Sequence, residues 1–227
     1  MLFCFLILKL PQTAHLCVKP FDEIMRGVKM EDKMSKSKEQ VMDLKPTQFA
    51  VGMMEVSTKI SKLKDQKDPD SFLKDHPVPV VKSSFGVFIV DHHHLVRACW
   101  EIGIKKVYVE IIADLGELNP QDFWKEMQKK NWTYLHDQFG NGPHPPEKLP
   151  QDIRGMADDP YRSLSWAVRE EGGYEKDHTP FSEFHWAEFF RKKINDVSDF
   201  HHAVKEALRL CSLPEAKKLP GAITQKS

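Results

Sequence analysis

Cysteine is scarce in this chain: four residues in 227 (Cys4, Cys17, Cys99 and Cys211), with no Cys-x-x-Cys pair and no regular spacing. That argues against zinc fingers and disulfide-stapled scaffolds and fits a reducing compartment. Net charge is lacking too. Thirty-three basic residues balance 33 acidic ones, and the pI is near 7.2. The chain therefore lacks the basic excess of a dedicated sequence-reading DNA binder, although a nuclease or a nucleotide enzyme needs only a local patch. No apolar run is long enough to span a bilayer; the stretch Met1–Leu10 is short and is interrupted by Lys9. It has no basic n-region, and no small-x-small cleavage site follows. It reads either as a degenerate export signal or as an upstream extension with Met25, Met30 and Met34 as later starts. A cytoplasmic location is the expectation, with export as the alternative. Internal repeats and low-complexity tracts are absent.

What the chain does have is the run Asp91-His92-His93-His94, between the apolar stretch Gly86–Val90 and Leu95-Val96-Arg97-Ala98-Cys99-Trp100. It reads as a strand-to-helix junction carrying a carboxylate and three imidazoles. Such a junction directs unpaired backbone N–H groups and a positive dipole end at whatever lies above it, which suits a phosphate. The plainer alternative is a polar helix cap with hydrogen-bonded imidazoles.

Around this run the pattern is α/β. Gln48–Val51 reads as a short strand. Met53, Val56, Ile60 and Leu63 form the stripe of an amphipathic helix, and Asp68-Pro69 starts a second. Val78–Val81 and Val87–Val90 read as a hairpin, His93–Ile102 as a helix stopped by Gly103, and Val107–Ile112 as the clearest strand. Residues 31–40 are charged and polar and read as a solvated linker or helix. Downstream, Asn119-Pro120, Asp159-Pro160 and Thr179-Pro180 each announce a helix. Trp132–Leu135 suggests a short strand, and a last helix carries Val197, Phe200, Val204, Ala207, Leu208 and Cys211. The expected organisation is an extension over 1–43, an α/β unit over 44–115, a helical part over 116–222 and a tail over 223–227.

The order Leu44-x-Pro46-Thr47-Gln48, amphipathic helix, Pro77–Val81, hairpin, Asp91–His94, helix, strand resembles the ParB/sulfiredoxin fold. Asp159–Trp166 and Phe184–Arg191 are similar to the ParB-like nuclease branch of that superfamily. The resemblance implies an α+β fold, a small mixed sheet with helices, followed by a helical, aromatic-rich C-terminal extension. It also implies that the strand-to-helix motif, commonly Asp-Gly-His-His/Thr-Arg, binds nucleotide phosphates. Here His92 stands at the Gly position and Leu95 at the Arg position, which weakens that inference unless Arg97 substitutes for the missing guanidinium. Sulfiredoxin chemistry needs a Cys in the motif; this chain has histidines, and Cys99 reads as core.

The candidate catalytic groups are Asp91, His93, His94 and Glu55. The histidines are chosen because imidazoles titrate near working pH. Glu55 is chosen because kinase members of the superfamily carry an essential Glu early in the fold. Asp91 has the alternative role of helix N-cap. Candidate phosphate or substrate contacts are His92, Arg97, Gln48, Lys59, Arg162 and Ser163. Asp158 and Asp159 offer a divalent-cation site as the alternative to a capped helix. The expected function is a phosphoester-handling, nuclease-like hydrolase acting on a nucleotide or phosphoester, with Mg²⁺ and a nucleotide as possible cofactors. A nucleotide-dependent kinase of a small hydroxylated metabolite and a non-catalytic nucleotide-binding or interaction module are the alternatives.

Overall fold

The computed structural model describes residues 36–223. The apolar N-terminal stretch and most of the tail, with the export-signal and late-start readings, lie outside the described residues.

A five-stranded mixed sheet holds the first part of the chain, in the order β1-β6-β4-β5-β2. β4 (Val78–Ser83) and β5 (Gly86–Ile89) form the expected hairpin, with Val80 opposite Ile89. β6 (Lys106–Asp114) lies parallel to β4 and antiparallel to β1 (Lys36–Gln40), while β2 (Leu44–Lys45) runs parallel to β5. β1 corrects the expectation of a linker or helix over residues 31–40: Lys36–Gln40 pairs residue for residue with β6, from Lys36 opposite Glu110 to Gln40 opposite Lys106.

Two helices pack on one face of the sheet. α1 (Met53–Lys64) buries Val56 and Leu63, and α3 (His93–Glu101) buries Leu95, Val96, Ala98 and Cys99; both contribute to a core with Val80, Ile89, Val107 and Val109. Between them α2 (Pro69–Asp75) begins at Asp68, whose carboxylate accepts the Ser71 N–H. A second apolar cluster joins Val81, Phe88 and Leu115 to Phe123 and Met127 of α4 (Pro120–Lys129), which Asn119 caps.

The downstream helices α5 (Pro160–Glu170), α6 (Ser182–Arg191) and α7 (Phe200–Leu210) build a third core around Leu164, Val168, Tyr174, Trp186 and Phe190. Tyr174 stacks on Trp186 at 4.3 Å, and Tyr161 donates to the Ile194 carbonyl at 2.6 Å. These contacts account for the density of aromatics there.

A two-stranded parallel ribbon ties the downstream helices to α1: β3 (Ala50–Val51) pairs with β7 (Ala157–Asp158). Asp158 accepts the Met53 N–H at 3.1 Å, and the Ser163 hydroxyl accepts the Met54 N–H at 3.2 Å, so α5 and its approach cap α1. Two expectations shift. Trp132–Leu135 is not a strand, contributing a single bridge between Tyr134 and Gln48. α6 begins at Ser182 rather than at Thr179-Pro180, because Phe181 adopts a left-handed conformation at its N-cap.

Candidate functional site

Four helices bring their N-terminal turns together. Glu55 lies in the first turn of α1, His93 and His94 open α3, Arg162 lies in the first turn of α5, and Glu183 in that of α6. Beside this junction is a cavity of about 500 Å³ whose wall includes Gln48, Asp91, His93, His94, Arg162 and Glu183. Of the four helices, α3 and α6 have no side-chain cap; their N-caps, His92 and Phe181, sit at φ 67° and φ 60°. The backbone N–H groups of His93 and His94 consequently meet no acceptor among the described residues.

The imidazoles do not act as a cationic seat. His93 Nε2 accepts the Thr47 N–H at 3.1 Å, and His94 Nε2 accepts the Gly52 N–H at 3.1 Å. An accepting nitrogen carries no proton, so each ring is neutral with its hydrogen on Nδ1. Burial depresses both: His93 falls to about 3, and His94 lies well below the usual imidazole range, pushed down further by Arg162. The approach of His94 Nε2 to Glu55 at 3.5 Å is therefore not an ion pair. This corrects the expectation that His93 and His94 titrate near neutrality; they fix the backbone between β2 and α1 by accepting its N–H groups.

Positive charge comes instead from Arg162. Its side chain is 4% exposed, and one terminal nitrogen serves both Glu55, at 3.2 Å, and Glu183. Among the described residues its Nε and Nη1 are buried without a partner. Buried unpaired donors cost about 1–3 kcal/mol each, so an acceptor is expected to meet them. Glu183 also binds Arg169, one turn pair along α5. The sequence reading missed Glu183 and Arg169. Arg169 was recoverable, since a spacing of seven from Arg162 places both on one helix face.

The other candidates separate cleanly. Gln48 and Asp91 line the cavity. Asp91 is not the helix cap: its Oδ1 accepts the N–H of His92 at 2.6 Å, whereas His92 occupies the N-cap. The His92 ring is not part of the cavity wall; burial lowers its pKa, and its Nδ1 has no partner among the described residues. The backbone there is left-handed, a conformation that Gly adopts without steric cost. Lys59 pairs with Glu55 at 3.7 Å, outside the cavity wall. Ser163 lies next to Arg162 but spends its hydroxyl on capping α1. Arg97 does not replace the missing arginine: it binds Glu101 at 2.8 Å and the carbonyls of Ile153 and Met156 at 3.2 and 3.0 Å. Asp158 and Asp159 are no cation site either. Asp158 caps α1, while Asp159 caps α5 and pairs with Arg191 at 2.7 Å. Among the described residues no group of three or more His, Cys, Asp or Glu is disposed to hold a metal ion. Cys99 is buried, and burial pushes its thiol up to about 12, as a core residue requires.

With this geometry in hand, comparison with known proteins is decisive for the family. The family model described as "Putative ParB-like nuclease" matches residues 37–192. The chain belongs to this ParB-like nuclease family. A search of curated proteins finds no match. Among solved structures, the crystal structure of protein Atu1540 from Agrobacterium tumefaciens is similar at 37% identity and a TM-score of 0.78. The similarity covers 83% of this chain and 96% of that one. The match reaches from β1 through α6, so the stretch supplying Glu55, Asp91, His93, His94, Arg162 and Glu183 is ParB-like throughout. No described helix is long and apolar enough to cross a membrane.

Proposed function

We propose that this ParB-like chain is a phosphoester-handling, nuclease-like enzyme whose cavity seats one phosphoryl group against Arg162 and the start of α3. The observation that carries the reading is the Arg162 guanidinium, buried on the cavity wall with two N–H-bearing nitrogens unpartnered. Phosphate oxygens satisfy such a planar donor set geometrically and electrostatically. The free N–H groups of His93 and His94 and the neutral Nδ1–H of each ring add uncharged donors. Lys130, Arg169 and Lys176 also line the cavity, so four cationic side chains face the three carboxylates Asp91, Asp177 and Glu183.

In this reading Asp91 is the proton acceptor. It lines the cavity and is exposed, and only its Oδ1 is engaged, by the His92 N–H. The second oxygen is free to take a proton from water or from a hydroxyl attacking phosphorus. The histidines are unsuited to that role, because the one unprotonated nitrogen of each ring, Nε2, is already engaged by the N–H of Thr47 or Gly52. A cavity of about 500 Å³ suits a nucleotide or a nucleic-acid end better than the interior of a duplex.

Titration calorimetry with inorganic phosphate tests the seat. Arg162→Met should weaken binding by tenfold or more, with the secondary structure retained by circular dichroism. Parallel assays on supercoiled plasmid and on phosphomonoesters read out the chemistry, which Asp91→Asn should abolish. Equal phosphate affinity in wild type and Arg162→Met would refute the proposal.

A further inference from the structure

The anion seat already contains an anion. Glu183 places one carboxylate oxygen against Arg162 and the other against Arg169, the bridging arrangement that two oxygens of a phosphoryl group would adopt. Glu183 lines the cavity, and its neighbour Ser182 has a buried hydroxyl with no partner on the same wall. Arg162 does not depend on Glu183 alone for its position, because Glu55 of α1 holds the same nitrogen. The backbone at Glu183 is fixed independently: Ser165 donates to its carbonyl at 2.8 Å. Only the side chain of Glu183 therefore has to turn for the two guanidiniums to be released.

We infer that Glu183 is a built-in competitor for the phosphoryl seat, holding Arg162 and Arg169 together until a ligand oxyanion evicts its carboxylate. The inference rests on the phosphoester reading above. It assigns to Glu183 a role opposite in sign to that of a substrate-binding residue. While the seat is empty, the carboxylate neutralises two partly buried cations that would otherwise repel one another. When it is evicted, its charge is taken over by the ligand, and the Ser182 hydroxyl gains a neighbour to which it can donate. An anion that bridges both guanidiniums must first displace the Glu183 carboxylate, so the bridge weakens the binding of every such entrant.

The test compares inorganic phosphate binding by calorimetry in wild type, Glu183→Gln, Glu183→Asp, Glu55→Gln and Arg162→Met. Glu183→Gln should bind phosphate about tenfold more tightly than wild type, the equivalent of about 1.4 kcal/mol. Glu183→Asp is too short to bridge both guanidiniums and should fall between the two. Glu55→Gln should not tighten binding; a merely structural role for Glu183 would move both glutamine variants in the same direction. A structure of the wild-type protein soaked in phosphate gives an independent readout, in which the Glu183 carboxylate should leave both guanidiniums. Arg162-dependent phosphate binding that Glu183→Gln fails to tighten, or phosphate bound with the Glu183 bridge intact, would overturn this inference alone. No phosphate binding in wild type and in Glu183→Gln would overturn it together with the phosphoester reading.

Discussion

Replacing Gly52 by alanine should damage the fold and the site together, through a single methyl group. Gly52 precedes α1 at φ −84° and ψ 112°, a conformation open to alanine, so any cost is steric. An added Cβ would lie 2.8 Å from Ser163 N, 3.0 Å from Ser163 Cα and 3.0 Å from its Oγ. The two closest atoms are backbone and cannot rotate aside, so α1 and α5 must separate. That separation strains the caps of α1 at Asp158 and Ser163, the Gly52 N–H bond to His94, and the 3.2 Å contact between Glu55 and Arg162. Overpacking costs about 1–3 kcal/mol, and each weakened hydrogen bond adds about 0.5–1.5 kcal/mol. Alanine returns about 0.4–1 kcal/mol by stiffening the unfolded chain. The net expectation is a loss of at least about 2 kcal/mol, or roughly 4–8 °C or more in Tm for a domain of this size. Urea and thermal unfolding measure the loss, and phosphate calorimetry should show weakened binding in the folded fraction. A Tm within a degree or two of wild type with phosphate affinity intact would refute the claim that this backbone contact sets the site.

Other perturbations probe separate parts of the argument. His93, at about 3 in the folded protein, and His94 are both held below their unfolded values, so the unfolded chain binds more protons. The His93 contribution is complete above about pH 6.5 and is lost as pH falls toward 3, at about 1.4 kcal/mol per pH unit within that window. The His94 contribution is lost in the same direction. His93→Gln, which keeps an acceptor for the Thr47 N–H, should remove its share of the slope in denaturant titrations at pH 5–7. Arg97→Ala should cost about 1–3 kcal/mol in urea unfolding by freeing the carbonyls of Ile153 and Met156, yet leave phosphate affinity unchanged. His92→Gly relieves the left-handed strain at φ 67° and should keep stability within about 1 kcal/mol of wild type or raise it, with phosphate binding retained.

Much of the fold was legible because its signals are local. The apolar spacing of α1 and the Pro-led caps at Asp68, Asn119 and Asp159 needed no tertiary information. β1 was illegible for the opposite reason. Lys36–Gln40 is held by main-chain bonds to β6, and its side chains alternate only between half-buried and exposed, without an apolar face. Phe181 misled through Thr179-Pro180, a sound helix-start signal overridden by a left-handed residue one step later. Asp91, His93 and His94 do line one cavity, but the electrostatics expected of the rings were wrong. What neutralises the rings is the pair of amides at Thr47 and Gly52, 46 and 42 residues away in sequence, and no spacing rule connects them. Glu183 was hidden in an aromatic-rich helix whose composition pointed to packing.

The outermost strand has a bearing on how the chain withstands shortening. Lys36 and Lys38 stud the border that β1 presents to water, a placement that discourages neighbouring molecules from docking edge to edge. Removing residues up to Gln40 would strip that border and leave β6, with Val107, Val109 and Ile111, as a bare rim of unsatisfied main-chain groups. A trimmed protein of that kind would keep every residue of the proposed phosphoryl seat and still be prone to stick to itself.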